Sequence, residues 1–178
     1  MKIVIVPRKR PGAFCNYLGF GDYYRVMRTI NRIFVHCTAS NQQTTTEAKL
    51  RDEFNRKGWK APGYHWVVKP DGNIIKMLDE SMVANGVKGY NAHSIHVAYI
   101  GGIDAKGKGI DNRTPEQKLA LIDLLVKIKS RYPKAEILGH RDISPDKNKN
   151  GVVDPWERIK ECPCFDAKIE YADISKQQ

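Results

Sequence analysis

The apolar positions of this chain fall into short runs separated by polar, glycine-rich segments, and two longer stretches carry a helical period. Arg32–Cys37 (Arg-Ile-Phe-Val-His-Cys) has the length and character of a buried strand. Alternation along it sends His36 and Cys37 to opposite faces. Ile95–Ile100 is a second such run, ended by Gly101-Gly102, and Glu136–Leu138 is a third, leading into Gly139-His140. Tyr64–Lys69 and Ile74–Leu78 flank Pro70-Asp71-Gly72, which predicts an antiparallel hairpin.

The helical stretches carry their own start and stop signals. Thr44-x-x-Glu47 reads as a capping box and Gly58 as a stop, which predicts a helix over 45–57 with Ala48, Leu50 and Phe54 on its buried side. Thr114-Pro115-Glu116-Gln117 supplies an N-cap, a proline at N1 and a glutamine at N3. Leu121, Leu124, Leu125 and Ile128 then recur at helical spacing, so a helix is predicted over 115–131. A last helix is predicted to begin near Pro155. Helices mixed with strands, one pair of them antiparallel, predict a single α/β domain with a central mixed sheet flanked by helices.

Residues 1–28 read apart from this pattern. Ile3–Val6 suits a short strand, Pro7–Gly12 is a basic turn, and Phe14–Tyr24 is aromatic and glycine-rich. The segment reads as an extension, Met27 as an alternative start, and 29–178 as the domain. The amino terminus places basic residues after its short apolar run, the reverse of a secretory signal. Synthesis in the cytoplasm without a signal peptide is therefore expected.

Composition changes the picture at two points. The formal net charge of +10 favours a polyanionic partner, and an anionic cell-wall polymer fits. No nucleic-acid-binding signature accompanies the charge, and no apolar run is long enough to span a membrane. The simpler reading is a solvated basic surface on a monomer. Four cysteines, Cys15, Cys37, Cys162 and Cys164, in a chain read as cytoplasmic suit metal binding or catalysis better than disulfides.

His36 and His140 each close a predicted strand, and Cys162 follows in a proline-interrupted loop. Two imidazoles and one thiolate around zinc leave a fourth position open, the arrangement of catalytic rather than structural sites. Taken singly, each residue has a plainer reading: a strand histidine hydrogen-bonded in the core, or a cysteine acting as a small hydrophobe.

The order of the motifs adds to this. Phe34-Val35-His36-Cys37-Thr38-Ala39 is followed by Gly58-Trp59, Gly63-Tyr64-His65-Trp66-Val67-Val68 and Pro70-Asp71-Gly72. Then come Lys88-Gly89-Tyr90-Asn91, Ser94-Ile95, Gly101-Gly102-Ile103-Asp104 and Thr114-Pro115-Glu116-Gln117. Gly139-His140-Arg141-Asp142 and Cys162-Pro163-x-Phe165-Asp166 complete the set. From about Thr29 to Asp166 the chain resembles the zinc-dependent N-acetylmuramoyl-L-alanine amidases of the type-2 family. That family includes the T7-lysozyme-type endolysins and the peptidoglycan recognition proteins.

The resemblance implies zinc held by His36, His140 and Cys162, with Tyr64 and Lys160 as the catalytic pair and a peptidoglycan substrate. An ammonium beside a developing oxyanion is a fitting stabiliser, and a tyrosine hydroxyl can hydrogen-bond the attacking water. The plain alternatives are a core tyrosine and a solvated helix lysine. The resemblance also implies an enzyme that acts on the cell wall after release or non-classical export. The competing function is a peptidoglycan-binding module without activity, and retention of the cysteine argues against it.

Two features depart from the family pattern. Cys164 adds a second thiol, but Cys162 is the residue that precedes the proline of the motif. His96 stands where many relatives carry glycine, and would narrow the groove or pack. His65 is expected to turn away from Tyr64 by strand alternation, and His93 lies near the motifs.

Residues 144–158 read as an insertion. Asp146-x-Asn148-x-Asn150-Gly151-x5-Glu157 matches a calcium loop, with Val152 giving a carbonyl and Asp154 acting through water. Asp154-Pro155-Trp156-Glu157 equally matches a helix start with an acidic N-cap.

Overall fold

A computed structural model of the chain describes residues 28–176. The strand expected at Ile3–Val6, and all of the 1–28 extension but its last residue, lie outside the described residues. Arg28 belongs to the domain: its guanidinium donates to the carbonyls of Glu80, Asn91 and Ala92.

Among the described residues one mixed sheet forms from β1 (Arg32–Cys37), β2 (Trp66–Val68), β3 (Ile74–Lys76), β4 (Ser94–Tyr99) and β5 (Glu136–Gly139). Its order is β3-β2-β4-β1-β5. β1 lies parallel to both β4 and β5, β2 is parallel to β4, and only β3 runs antiparallel, as the hairpin partner of β2. The predicted α/β class is present, as are the five strands predicted beyond the extension, with β2 and β3 shorter than predicted.

The two faces of β1 do different work. Ile33, Val35 and Cys37 join Ile95, Val97, Tyr99 and Ile137 in the main core. Against them packs α2 (Pro115–Arg131) through Leu121, Leu124, Leu125 and Ile128. Each such side chain contributes roughly 1.5–3 kcal/mol by leaving water. The start of α2 is a capping box: Gln117 N–H donates to Thr114 Oγ1 at 3.0 Å and Thr114 N–H to Gln117 Oε1 at 3.1 Å. On the other face α1 (Glu47–Arg56) lays Leu50 and Phe54 against Val67, Ala98 and Ile100. Phe34, His36 and His96 occupy that second face beyond α1.

Two boundaries differ from expectation. α1 is capped by Thr46, whose hydroxyl accepts from Lys49 N–H at 3.3 Å. Thr44 is drawn instead into a turn closed by Asn41 Oδ1, which accepts from the N–H groups of Gln43 and Thr44. Glu47 then pairs with Arg51 rather than reaching back to a cap. Gly58 does stop the helix, at φ +70°, a left-handed conformation that favours glycine. Near Pro155 there is only one 3-10 turn, Pro155–Glu157. Trp156 and Ile159 are exposed there, so no apolar stripe drives a longer helix. The C-terminal helices are α3 (Ala167–Glu170) and α4 (Ala172–Lys176), the first capped by Asp166.

Arg113, its side chain buried, ties this C-terminal segment down. Its guanidinium pairs with Asp111 and Glu170 at 2.8 Å, stacks over the ring of Phe165 at 3.3 Å and donates to Tyr171 Oη. No helix among the described residues is long and apolar enough to cross a membrane.

Candidate active site

His36 sits near the C-terminal end of β1, and His140 is the first residue beyond the neighbouring β5, opening the 3-10 turn His140–Ile143. The C-terminal ends of parallel strands are where open α/β sheets place ligands. Cys162 arrives from a loop held by backbone contacts on both sides. Arg141 N–H donates to Cys162 O at 2.8 Å, and Cys37 N–H to Cys162 Sγ at 3.2 Å. Tyr99 Oη donates to Pro163 O at 2.7 Å from below. Gly139 leaves the loop room to descend, since a Cβ there would stand 2.6 Å from Pro163 Cδ.

The result is one cluster. One nitrogen each of His36 and His140 and the sulfur of Cys162 all lie within 4.8 Å of one another. His36 Nδ1 is 3.7 Å from Cys162 Sγ, and the two imidazole rings meet edge to face at 5.0 Å. Burial pushes the pKa of both histidines down, well below the ordinary value for His36 and to about 4 for His140. Charge repulsion from Lys160 acts in the same direction on both. A depressed histidine pKa means the neutral ring prevails above it, so at neutral pH both rings offer a lone pair.

Tyr64 and Lys160 stand beside this cluster. The ring of Tyr64 lies 5.3 Å from that of His36 and is braced edge-on by Phe54. Burial, then the nearby thiols, push its hydroxyl pKa up, so it stays protonated. Lys160 is exposed, yet close enough for its charge to depress both histidines. It lies in the loop before Cys162, not on a helix.

Residues 26–156 match the family model for N-acetylmuramoyl-L-alanine amidase. The chain belongs to that amidase family. The endolysin of Klebsiella phage KP32 is 37% identical over 139 residues, covering 78% of this chain and 83% of the relative. The endolysin of Escherichia phage T7 is 35% identical over 146 residues, covering 82% and 87%. In fold, the amidase is similar to N-acetylmuramoyl-L-alanine amidase LysC from Clostridium intestinale URNW. The TM-score is 0.64 at 24% identity, covering 90% of this chain and 94% of that one. It is also similar to a mutant of Drosophila PGRP-LB in complex with tracheal cytotoxin, with a TM-score of 0.59 at 16% identity over 82% of both chains. The family match ends before Cys162, so the place of the thiol in the cluster rests on the geometry above.

The other two described thiols, those of Cys37 and Cys164, turn elsewhere. Cys164 Sγ donates to Gly102 O at 3.2 Å and lies 3.8 Å from Cys37 Sγ, on the core side of β1. The contact with Cys162 pushes the Cys37 thiol up to about 12, and the contact with Cys37 pushes Cys164 up in turn. Both are pushed toward the protonated thiol, and among the described cysteines it is Cys162 that joins the cluster.

Of the two readings of His96, narrowing the groove or packing, the structure gives packing, and it adds a contact with His36 that the sequence did not show. His96 is fully buried and does not line the groove; its Nδ1 lies 3.1 Å from His36 Nε2. His65 does turn away from the site, with Nδ1 accepting from His96 N–H at 2.9 Å and Nε2 facing Met82 O at 3.1 Å. His65 lies just before β2 and joins the neighbouring strands, its N–H donating to His96 O at 2.9 Å and its carbonyl accepting from Met77 N–H at 2.8 Å. His93 contacts Thr29 O, away from the cluster.

The loop at 146–157 is closed by its own hydrogen bonds. Asp146 accepts from the N–H groups of Asn150 and Gly151. Asn148 and Asn150 donate their side-chain amides to Asp154. Glu157 is buried and accepts from Lys147 and Asn148 with one oxygen and from Asp154 N–H with the other. Its carboxylate thus does the work of a cap, and Val152 is exposed. The structure adds no support for calcium beyond the sequence spacing.

Proposed function

We propose that this amidase is a zinc-dependent hydrolase of the amide bond between N-acetylmuramic acid and L-alanine in peptidoglycan. The observation that carries the proposal is the convergence of His36, His140 and Cys162 at the edge of the sheet. The donor set fits zinc. Tetrahedral zinc with ordinary N and S bonds separates its nitrogen and sulfur ligands by about 3.5 Å, and His36 Nδ1 lies 3.7 Å from Cys162 Sγ. Two neutral nitrogens and a sulfur, with a protein surface open beside them, suit a catalytic rather than a structural ion.

When bound, zinc supplies Lewis acidity toward a carbonyl oxygen and lowers the pKa of water. The chain's own residues do the rest. Lys160 Nζ places a positive charge where negative charge develops on the carbonyl oxygen. Tyr64 Oη, kept protonated by burial, donates a hydrogen bond that orients the attacking water or the developing oxyanion. His36 and His140, held neutral, remain available as ligands. A cell-wall substrate agrees with the endolysin relatives, with the neighbour solved in complex with tracheal cytotoxin, and with a net charge of +10. The retained thiol, tyrosine and lysine favour hydrolysis over recognition alone. Calcium at 146–157 is not part of the proposal, because backbone N–H groups already serve Asp146 and Glu157 and the side-chain amides of Asn148 and Asn150 serve Asp154.

Purified protein is expected to hold about one zinc per chain. Chelation should abolish hydrolysis of cell-wall sacculi, and zinc should restore it. Metal analysis that finds no zinc, with no gain of activity on addition, contradicts the mechanism.

We also infer that the catalytic unit begins at Arg28, because Arg28 fastens the loops at 80 and 91–92. Removing residues 1–26 should leave a folded, active enzyme with a thermal midpoint near that of the full chain. Removing Arg28 as well should lower it.

A further inference from the structure

We propose that His96 is a positioning residue for His36, fixing the tautomer in which His36 Nδ1 faces the metal; this rests on the zinc reading above. The two ring nitrogens of His36 have different neighbours. Nδ1 faces Cys162 Sγ at 3.7 Å, while Nε2 faces His96 Nδ1 at 3.1 Å inside the sheet. A neutral imidazole that gives its Nδ1 lone pair to a metal carries its proton on Nε2. That proton finds its acceptor in His96 Nδ1, so His96 carries its own proton on Nε2. Ligating histidines are generally held by such a partner, which fixes ring orientation and raises basicity.

The surroundings hold His96 in this role. The rings of His65, His96 and Phe34 stack in a row, with centroids 5.8 Å and 5.6 Å apart and planes within 8° of parallel. His65 Nδ1 also accepts from the backbone N–H of His96. Gly86 leaves room for the ring, since a Cβ there would stand 2.3 Å from His96 Nδ1. The stack and the close backbone leave the imidazole little freedom to turn.

One further feature separates this role from packing. Among the described residues His96 Nε2 is buried without a hydrogen-bond partner. A buried donor without an acceptor is costly. Leucine at the same place would fill space with no such cost, but it would give His36 no acceptor. His36 could then carry its proton on Nδ1, the tautomer that cannot ligate.

The test is the zinc dissociation constant, measured by competition with a chromophoric chelator, for the wild type, His96→Leu and His96→Asn. Asparagine Oδ1 stands where His96 Nδ1 stood and keeps an acceptor. His96→Leu is expected to weaken zinc binding roughly 10–100-fold, and His96→Asn to recover most of that loss. In the zinc-loaded wild type, long-range proton–nitrogen NMR should place the His36 ring proton on Nε2; this readout needs no variant to fold. Equal zinc affinity in the wild type and His96→Leu overturns the positioning role alone, as does an asparagine variant no better than leucine. A wild type that takes up no zinc overturns the zinc reading and this role together.

Discussion

Cys162→Ala is expected to lose zinc and turnover together. The sulfur is one of three converging donors, and Cys37 N–H, which donates to it at 3.2 Å, loses its acceptor. Removing even a partner behind a ligand typically costs 10–100-fold in metal affinity, so removing the ligand should cost at least roughly that much. Cys164 is not placed to substitute, because its thiol points to Gly102 O on the core side of β1. The fold should persist, since the loop keeps the bonds from Arg141 N–H to Cys162 O and from Tyr99 Oη to Pro163 O. Circular dichroism beside metal analysis checks both halves. A Cys162→Ala protein that keeps stoichiometric zinc shows that the thiol is not a ligand.

Lys160→Ala should do the opposite, keeping zinc and losing rate. Its side chain is exposed and lies in a loop, so its removal disturbs little packing. Removing the charge lets the His140 pKa rise somewhat, but burial is the larger cause of its depression, so the ring stays neutral at neutral pH. On the proposed mechanism, what disappears is a cation beside the developing oxyanion. A single donor in that position is worth on the order of 3 kcal/mol, or roughly a hundredfold or more in rate. Initial rates on purified sacculi, with zinc content measured in parallel, decide the matter; a wild-type rate removes Lys160 from the mechanism.

How much of this was legible in the sequence depends on the distance over which each feature is determined. The helix at Pro115–Arg131 was readable to the residue because its capping box and its apolar stripe are local. The start at Thr44 misled because Asn41, three residues earlier, takes that threonine into a turn. The helix near Pro155 shrank to one turn because its start signal is followed by exposed Trp156 and Ile159, which have nothing to pack against. The His36–His140–Cys162 cluster needed the motif order, since spacing alone could not show that β1 and β5 lie side by side. The contact of His96 with His36 was not legible because the two are 60 residues apart and meet only through the parallel pairing of Phe34 with His96. The loop at 146–157 satisfied a calcium pattern and a helix-cap pattern together, and only the hydrogen bonds of Glu157 tell which groups its oxygens serve.

The most direct test of the central claim is to identify the bond that is cut. Purified sacculi digested with zinc-loaded protein should yield peptides beginning with a new L-alanine amino terminus, while the glycan strands keep intact N-acetylmuramic acid. Mass spectrometry of the products, with a chelated control, reads this out. The account predicts L-alanine termini that appear with zinc and are absent with chelator. Cleavage at a glycosidic or peptide–peptide bond, or protein that pellets with sacculi and releases no amino termini, would contradict it.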